Sequence, residues 1–235
     1  MFTIPGERAE GICAIGSTIF AASDSGLFMH RSSRLERLDT DEYTVLEAGE
    51  DFVAVCSSNL RILNSSGSEI EDMGTFASLS DIVVDGDRMV IVYGWMYADI
   101  YDMTDPSSPE LLETISPSNM ITNCALNGDR LALVSMNGDI WKYDISDFPI
   151  DDAYDYIHRP CYFMNAAWSG EKLLVASLYD GLLSFGSTIA QRLTPAGVPS
   201  DFIENGDYTY CAFGPGGIVT IDRAANIVSR VSGEY

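Results

Sequence analysis

The sequence has few basic residues, and lysine is the scarcer of the two. Thirteen Lys and Arg stand against 35 Asp and Glu, which gives a formal net charge of −22 at pH 7, and lysine occurs at positions 142 and 172 alone. Proteins bind nucleic acids and anionic membranes through clustered Lys and Arg that neutralise phosphates. The charge balance argues against both classes of partner. We interpret it first as a source of solubility, and it also permits steering toward a protein partner with a basic rim.

Long apolar runs and paired cysteines are also missing. No stretch approaches the roughly 18 apolar residues that span a bilayer, and the opening MFTIPGERAEG has no basic segment or apolar core of a signal peptide. The five cysteines are dispersed without a CxxC pair, at Cys13, Cys56, Cys124, Cys161 and Cys211. An odd, dispersed set indicates reduced thiols, so we expect a cytoplasmic protein.

Catalytic signatures are scarce as well. The two histidines, His30 and His158, lie far apart in the chain, and neither has a spacing typical of a Ser-His-Asp, Cys-His or HExxH site. The glycine-rich segment 214–217 has no lysine and no following helix to bind phosphate, so we interpret it as a hairpin. These features favour a non-catalytic protein without a cofactor and leave an enzyme as the alternative.

What the sequence does contain is a repeat. The segment LSDIVVDGDRMVIVYGWMYADIYDMTDPSSPELLETIS is typical of four short strands joined by turns, because runs of β-branched and aromatic residues are bounded by Gly, Pro, Asp and Ser. The unit recurs six times, and a glycine follows the first strand of each repeat, at Gly16, Gly49, Gly86, Gly128, Gly170 and Gly206. Glycine in such a turn supplies the positive φ of a tight hairpin.

Four strands in each of six repeats predict an all-β fold, a six-bladed β-propeller with four antiparallel strands per blade. A β-sandwich also uses short strands, but it requires no period. We expect a single domain, monomeric by default, in which Met1–Ile4 pairs with the last blade and clasps the ring. The predicted ranges are 1–10 for the closing segment and 11–40, 43–77, 79–116, 121–158, 163–196 and 200–235 for the blades.

The middle of the chain resembles a known family. The segment DIVVDGDRMVIVYGWMYADIYDMTDPSSPELLETI is similar to the LVIVD-type propeller repeat, a WD-like unit that starts its first strand with Asp and follows its third strand with an Asp-x-Ser-x-Pro-like turn. Residues 102–106 (DMTDP) and 144–149 (DISDFP) carry that turn, the sixth repeat keeps Asp222, and the first, second and fifth repeats depart from it. The resemblance implies a propeller and little about activity, because such folds host unrelated functions.

Large apolar residues gather in the loops at one end of repeats three to five. The loops between second and third strands carry Trp95, Met96, Tyr97, Met136 and Tyr179, and the loop that leads into repeat five adds Tyr162 and Phe163. Loops usually carry polar residues, so this cluster predicts either a contact patch or a set of caps over the core. Trp and Tyr are enriched at binding hot spots. We therefore predict a protein-interaction scaffold, or a subunit of a larger complex.

The first strands of four repeats begin with short polar residues. These are Asp81, Asn123, Asn165 and Asp201, each five residues before a turn glycine. First strands line the central channel of a propeller, so the four side chains would form a partial ring of oxygens at its mouth, of the kind that Ca²⁺ binds. Six-bladed lactonase-like hydrolases hold a metal in this region, which makes a metal-dependent hydrolase or small-ligand binder the alternative function. We favour a structural role, because such side chains also bond neighbouring backbone.

Overall fold

The computed structural model describes residues 9–23, 25–186, 190–193, 199–213 and 216–231. In these ranges 24 strands form six four-stranded antiparallel sheets, and each sheet is hydrogen-bonded in chain order. The fold is a six-bladed β-propeller, which confirms the prediction from the repeat. The chain divides into an N-terminal unit, Met1–Gly94 with Ala98–Ile115, and a C-terminal unit, Trp95–Tyr97 with Ser116–Tyr235. The two units are described separately.

The N-terminal unit contains blades one to three. Their strands are β1 (Ala9–Ile15), β2 (Thr18–Ser23), β3 (Gly26–Arg31), β4 (Arg34–Asp39), β5 (Val45–Ala48), β6 (Phe52–Cys56), β7 (Leu60–Asn64), β8 (Glu69–Gly74), β9 (Asp81–Asp85), β10 (Arg88–Tyr93), β11 (Tyr97–Asp102) and β12 (Glu110–Ile115). The first strand described, β1, starts at Ala9. The proposed pairing of Met1–Ile4 with the last blade lies outside the described residues.

Apolar second strands hold the N-terminal unit together. Every residue of β6 is buried, as are the central residues of β10. One buried cluster joins blades one and two around Phe20 and Tyr43, and another joins blades two and three around Phe52 and Met89. Burying a large apolar side chain contributes about 1.5–3 kcal/mol, so each blade stabilises its neighbour through side chains of its central strands.

The C-terminal unit contains blades four to six. Their strands are β13 (Asn123–Asn127), β14 (Arg130–Val134), β15 (Asp139–Asp144), β16 (Asp155–His158), β17 (Phe163–Ser169), β18 (Lys172–Ser177), β19 (Gly181–Phe185), β20 (Ala190–Arg192), β21 (Asp201–Asn205), β22 (Tyr208–Ala212), β23 (Ile218–Asp222) and β24 (Ile227–Val231). Buried clusters around Trp168 and around Phe213 join these blades in pairs. The last strands are the most exposed, as four of the five residues of β24 show.

Glycine geometry confirms five of the six predicted hairpins. Gly16, Gly86, Gly128, Gly170 and Gly206 have φ between +55° and +62°. Gly49 does not share this conformation, so the prediction of positive φ is wrong there. Its turn has three residues rather than two, closed by a bond from Gly49 N to Phe52 O of 2.9 Å. A Cβ on Gly49 would lie 2.6 Å from Cζ of the Phe52 ring, so close packing explains this glycine.

Candidate functional site

The loops that carry the predicted aromatic cluster lie at one end of the C-terminal blades. In blade four Asn123, which starts β13, pairs with Val134, which ends β14, so the connection into β13 and the β14–β15 loop share one end of the sheet. Blade five repeats this arrangement, because Phe163 pairs with Ser177. We call the set formed by Trp95–Tyr97 and the connections 116–122, 135–138, 159–162 and 178–180 the aromatic face.

Five of the seven predicted side chains are exposed on the aromatic face. Their exposed fractions are 75% for Tyr179, 45% for Trp95, 44% for Met96, 44% for Tyr97 and 40% for Tyr162. Met136 is half-buried, and the Tyr162 hydroxyl donates to its Sδ at 3.6 Å. Each of these five side chains keeps a large part of its surface in contact with solvent. A group of large aromatic and thioether side chains therefore meets solvent at adjoining loops.

Trp95 has an unusual backbone conformation. Its φ is +64°, next to Gly94 at +59°. Glycine and asparagine tolerate this left-handed region, whereas a bulky residue there is an outlier and carries strain of about 1–3 kcal/mol. The Trp95 carbonyl accepts a hydrogen bond of 2.9 Å from Ile121 N, which fixes the tip to the connection that leads into β13. A strained, tethered and exposed tryptophan is the kind of feature that clusters at functional sites.

Backbone bonds also tie together the other loops of the face. Arg159 N donates to Gly138 O at 2.8 Å, and Leu178 N donates to Tyr162 O at 2.9 Å. The Arg159 guanidinium pairs with Asp180 at 3.1 Å. Gly138 has φ +91°, and an added Cβ would run into the Arg159 carbonyl oxygen. The loops of blades four and five are thus fastened to each other before any partner binds.

Phe163 corrects the sequence prediction. It is the first residue of β17 rather than a loop tip, its exposed fraction is 1%, and its ring contacts Phe185 edge-on with centroids 6.0 Å apart. A bulge between Phe163 and Asn165 interrupts the alternation of the strand, and Phe163 joins the same buried cluster as Ala166. It belongs to the core between blades four and five.

Asp139 organises the face and was missed by the sequence analysis. Its side chain is 3% exposed. Tyr156 Oη and His158 Nδ1 each lie 2.7 Å from its Oδ1, and Asn119 Nδ2 donates to its Oδ2 at 3.1 Å. The hydrogen bond to Asp139 raises the pKa of Tyr156. One buried carboxylate therefore fastens the connection 116–122 to the end of β16.

A signal for Asp139 exists in the repeat. An acidic residue starts the third strand of blade four, where the other five blades carry Gly26, Leu60, Tyr97, Gly181 and Ile218. An acid at a position that is apolar or glycine in the other repeats indicates a local partner, because a carboxylate on a core strand is rarely buried unless it is paired. In the sequence this aspartate is hard to distinguish from the turn-forming aspartates that are common throughout the chain.

The channel-mouth residues mostly bond their own backbone. The side chains of Asp81, Asn165 and Asp201 each accept the next residue's N–H, from Ile82 at 3.0 Å, from Ala166 at 2.7 Å and from Phe202 at 2.8 Å. Within the C-terminal unit Asn165 Nδ2 also donates to Asp201 Oδ1 at 3.2 Å, and Asn123 starts β13. Desolvation raises the pKa of Asp201, which weakens its charged form as a cation ligand.

The aspartates after the third strands are turn formers, as the sequence predicts. Asp102 accepts from Thr104 N at 2.8 Å, Asp144 from Ser146 N at 3.0 Å and Asp222 from Asn226 N at 2.8 Å. Hydrogen bonds from these three partners lower the pKa of each carboxyl. Among the described residues no three His, Cys, Asp or Glu side chains are grouped as metal ligands.

A polar cleft of about 260 Å³ lies at the opposite end of blades four to six. Its Arg130 lies over the Trp168 ring at 4.8 Å and donates to Gly170 O at 2.9 Å and to Glu171 at 3.0 Å. Because Arg130 makes these contacts, it links blades four and five.

The described part of the chain has no helix with the length and apolar character to cross a membrane.

Comparison with known proteins identifies the fold alone. No protein-family model and no curated protein matches the chain. Among solved structures, the computationally designed Ika8 protein is similar with a TM-score of 0.64 at 9% identity, over 97% of this chain and 88% of that one. Kluyveromyces lactis Hsv2 is similar with a TM-score of 0.64 at 12% identity, over 93% of this chain and 74% of that one. At such identity the likeness supports a β-propeller-like fold.

Proposed function

We propose that the protein is a non-catalytic protein-interaction module that binds a protein partner through the aromatic face. The observation that carries this proposal is Trp95, an exposed tryptophan at φ +64° whose carbonyl is bonded to Ile121. Neither its backbone conformation nor its exposure benefits the folded chain. Binding is the role in which a fixed, exposed indole is useful, because buried Trp and Tyr anchors dominate the energy of interfaces.

The composition and rigidity of the face support the same role. Aromatic residues, Met and Arg are the types enriched at interface cores, and the face presents Trp95, Met96, Tyr162, Tyr179 and Arg159. Fixed loops also reduce the entropy that a partner must overcome, since ordering a flexible side chain costs roughly 0.5–1.5 kcal/mol. A pre-organised aromatic surface suits a scaffold or a subunit of a larger complex.

The partner is expected to combine an apolar centre with a basic rim. The formal net charge of −22 attracts a cationic protein over long range and raises its association rate. The apolar centre would cover the indole and phenol rings, and the rim would reach acidic residues outside the face. Such a partner should bind faster at low salt, because steering is screened within about 10 Å at 0.1 M.

Affinity capture from the source cell tests the proposal. The wild-type protein is compared with a Trp95→Asp, Tyr97→Asp variant and with Tyr154→Asp as the matched control, because Tyr154 is 56% exposed in the 145–154 connection at the opposite end. Loss of a hot-spot aromatic costs about 2 kcal/mol or more, enough to lose a micromolar partner in a wash. Capture by the wild type and by the control, but not by the double variant, supports the proposal.

Equal capture by all three proteins would exclude the aromatic face as the binding site. In that case the channel mouth becomes the place to look, and a metal-dependent hydrolase or ligand binder predicts that millimolar Ca²⁺ raises the melting temperature, since a ligand of the folded state stabilises it. The substitution Asp201→Asn, which removes one carboxylate of the proposed oxygen ring, would abolish that shift in melting temperature.

We also propose that the repeats are of the LVIVD type and that the protein is cytoplasmic. The backbone bonds at Asp102 and Asp144 support the repeat's characteristic turn in blades three and four. Buried positions of Cys56, Cys124 and Cys211 on strands support their use as small apolar residues, which suits a reducing compartment.

A further inference from the structure

Charge is unevenly distributed between the two ends of the C-terminal blades. Of the described residues in the loops of the aromatic face, Arg159 and Asp180 alone are charged, and they pair with each other. At the opposite end the connections 128–129, 145–154, 170–171, 206–207 and 223–226 carry one basic residue, Arg223, which pairs with Asp207 at 3.1 Å. They also carry six acidic residues, namely Asp129, Asp147, Asp151, Asp152, Glu171 and Asp207. One end is therefore close to neutral while the other is strongly acidic.

This distribution matters most for a partner of the same charge. Two copies of a chain with net charge −22 repel each other wherever their acidic surfaces meet. Contact through two aromatic faces leaves the acidic ends separated by two strand lengths, on the order of 40 Å at about 3.3 Å per residue. That distance is several times the Debye length of about 8 Å at physiological salt but close to the length of about 30 Å at 0.01 M. Repulsion between the two copies should therefore be weak at physiological salt and substantial at low salt.

The face also has what a two-fold contact requires. In a symmetric dimer the same patch meets itself, so the patch must be complementary to its own surface. Exposed rings and thioethers, such as Trp95, Met96 and Tyr179, satisfy this requirement because apolar groups pack against their own kind. The single charged pair does so as well: Arg159 of one copy and Asp180 of the other can exchange partners across the axis without leaving a charge unpaired.

We propose that the aromatic face is a self-association surface and that its occupant is a second copy of this chain, bound face to face about a two-fold axis. This inference goes beyond the protein-interaction role and does not depend on it. Where both hold, the dimer covers Trp95 and Tyr179, so that another partner gains access only as the dimer dissociates. Dimerisation would then set the concentration range in which the face is available.

Sedimentation equilibrium of the purified full chain tests the proposal, at concentrations up to about 200 μM and at NaCl from about 20 to 500 mM. The wild type is compared with Trp95→Asp, with Tyr179→Asp and with the control Tyr154→Asp, each checked for folding by its thermal melt. We expect a dimer whose Kd falls at least several-fold as salt increases, because salt screens the like charge of the two copies. Each variant of the face should raise Kd tenfold or more, and the control should match the wild type.

Three outcomes would overturn the proposal: a monomer under every condition, a dimer that salt weakens, or a dimer that Tyr154→Asp disrupts and the face variants spare. The result is separable from the capture experiment. A chain that stays monomeric yet loses its captured partner on Trp95→Asp, Tyr97→Asp substitution would refute self-association and retain the interaction module. A dimer that salt strengthens, with no captured partner, would support self-association and refute the interaction module.

Discussion

At one end of blades four to six, each turn between the first and second strands repeats glycine followed by an acid, and Gly128, Gly170 and Gly206 share φ of +56° to +62°. The loops of the aromatic face differ from one another: the β10–β11 loop of blade three carries Trp95 and Met96, the β14–β15 loop carries Met136, and the β18–β19 loop carries Tyr179. The turn end is specified by local backbone geometry that every repeat can encode. The loop end is specified by contacts between distant residues, which leaves it free to acquire a separate role in each blade.

Replacing glycine by alanine at each end should give the largest contrast. Gly138→Ala at the loop end places a Cβ against the Arg159 carbonyl, and we expect a loss of about 3 kcal/mol or more in the free energy of unfolding from overpacking and strain combined. Gly128→Ala at the turn end meets no atom within 4 Å and should lose about 1 kcal/mol from φ alone. Urea unfolding of both variants measures the difference, and equal losses would mean that the loop end is not closely packed.

The next effect concerns the buried carboxylate. Asp139→Asn replaces a buried carboxylate oxygen by an NH₂ group that faces the donors of its three partners, so a loss of about 2–3 kcal/mol is expected from the unsatisfied buried amide. Amide hydrogen exchange should quicken at Asn119 and Ile121, which the network holds in place. Asp129→Asn, in an exposed turn at the opposite end, is the matched control and should change stability by less than about 0.5 kcal/mol. Unchanged exchange in the connection 116–122 would remove Asp139 from its organising role.

A substitution at Trp95 should raise the free energy of unfolding, whereas the substitutions above lower it. Asparagine tolerates positive φ, so Trp95→Asn should raise the free energy of unfolding by about 1 kcal/mol as strain is relieved. The same substitution should weaken binding at the aromatic face, the usual trade between stability and function. Thermal melts and binding measurements on one preparation test both halves. A fall in stability would indicate that Trp95 covers the core, which is the competing interpretation of the patch.

The smallest effect is a difference in pH response between carboxyls at the two ends. The pKa of Asp144 in the folded chain is lowered by Ser146, so its contribution to stability is present above the unfolded pKa of about 3.9 and is lost as pH falls through the lower, folded value. The pKa of Asp201 is raised by desolvation, so it opposes folding above its folded pKa and ceases to do so as pH falls below about 3.9.

At pH 7 we therefore expect Asp144→Asn to lower Tm and Asp201→Asn to raise it. The Asp201 difference should disappear below about pH 3.9, and the Asp144 difference should shrink as pH falls further below that value. Melting curves from pH 7 down to pH 2.5 measure these shifts. Shifts of the same sign in both variants would show that the two carboxyls occupy similar surroundings.

The features at the two ends also differ in how well the sequence predicts them. The strands, the hairpin glycines and the turn-forming Asp102, Asp144 and Asp222 are encoded by neighbouring residues, and all were predicted from the repeat. Gly49 departs from the pattern because the Phe52 ring, not the backbone conformation, requires it. Local patterns carry less information about structure that depends on long-range packing.

The aromatic face illustrates that limit. Its position was predictable, since loop location follows from strand order, and so was the presence of exposed rings such as Tyr179. The burial of Phe163, the positive φ of Trp95 and the three bonds to Asp139 were not predictable, because each depends on a bulge, a tether or a partner some twenty residues away. A repeat shows where a blade departs from its neighbours and not which contacts the departure makes.

The unequal burial of the three tryptophans gives the protein a built-in optical probe. Trp141 and Trp168 are 7% and 2% exposed, whereas Trp95 is 45% exposed, so acrylamide should quench the emission of Trp95 far more than that of the other two. Covering the aromatic face would protect this indole and shift its emission to shorter wavelength. Occupancy of the face can therefore be followed in the unlabelled protein by fluorescence.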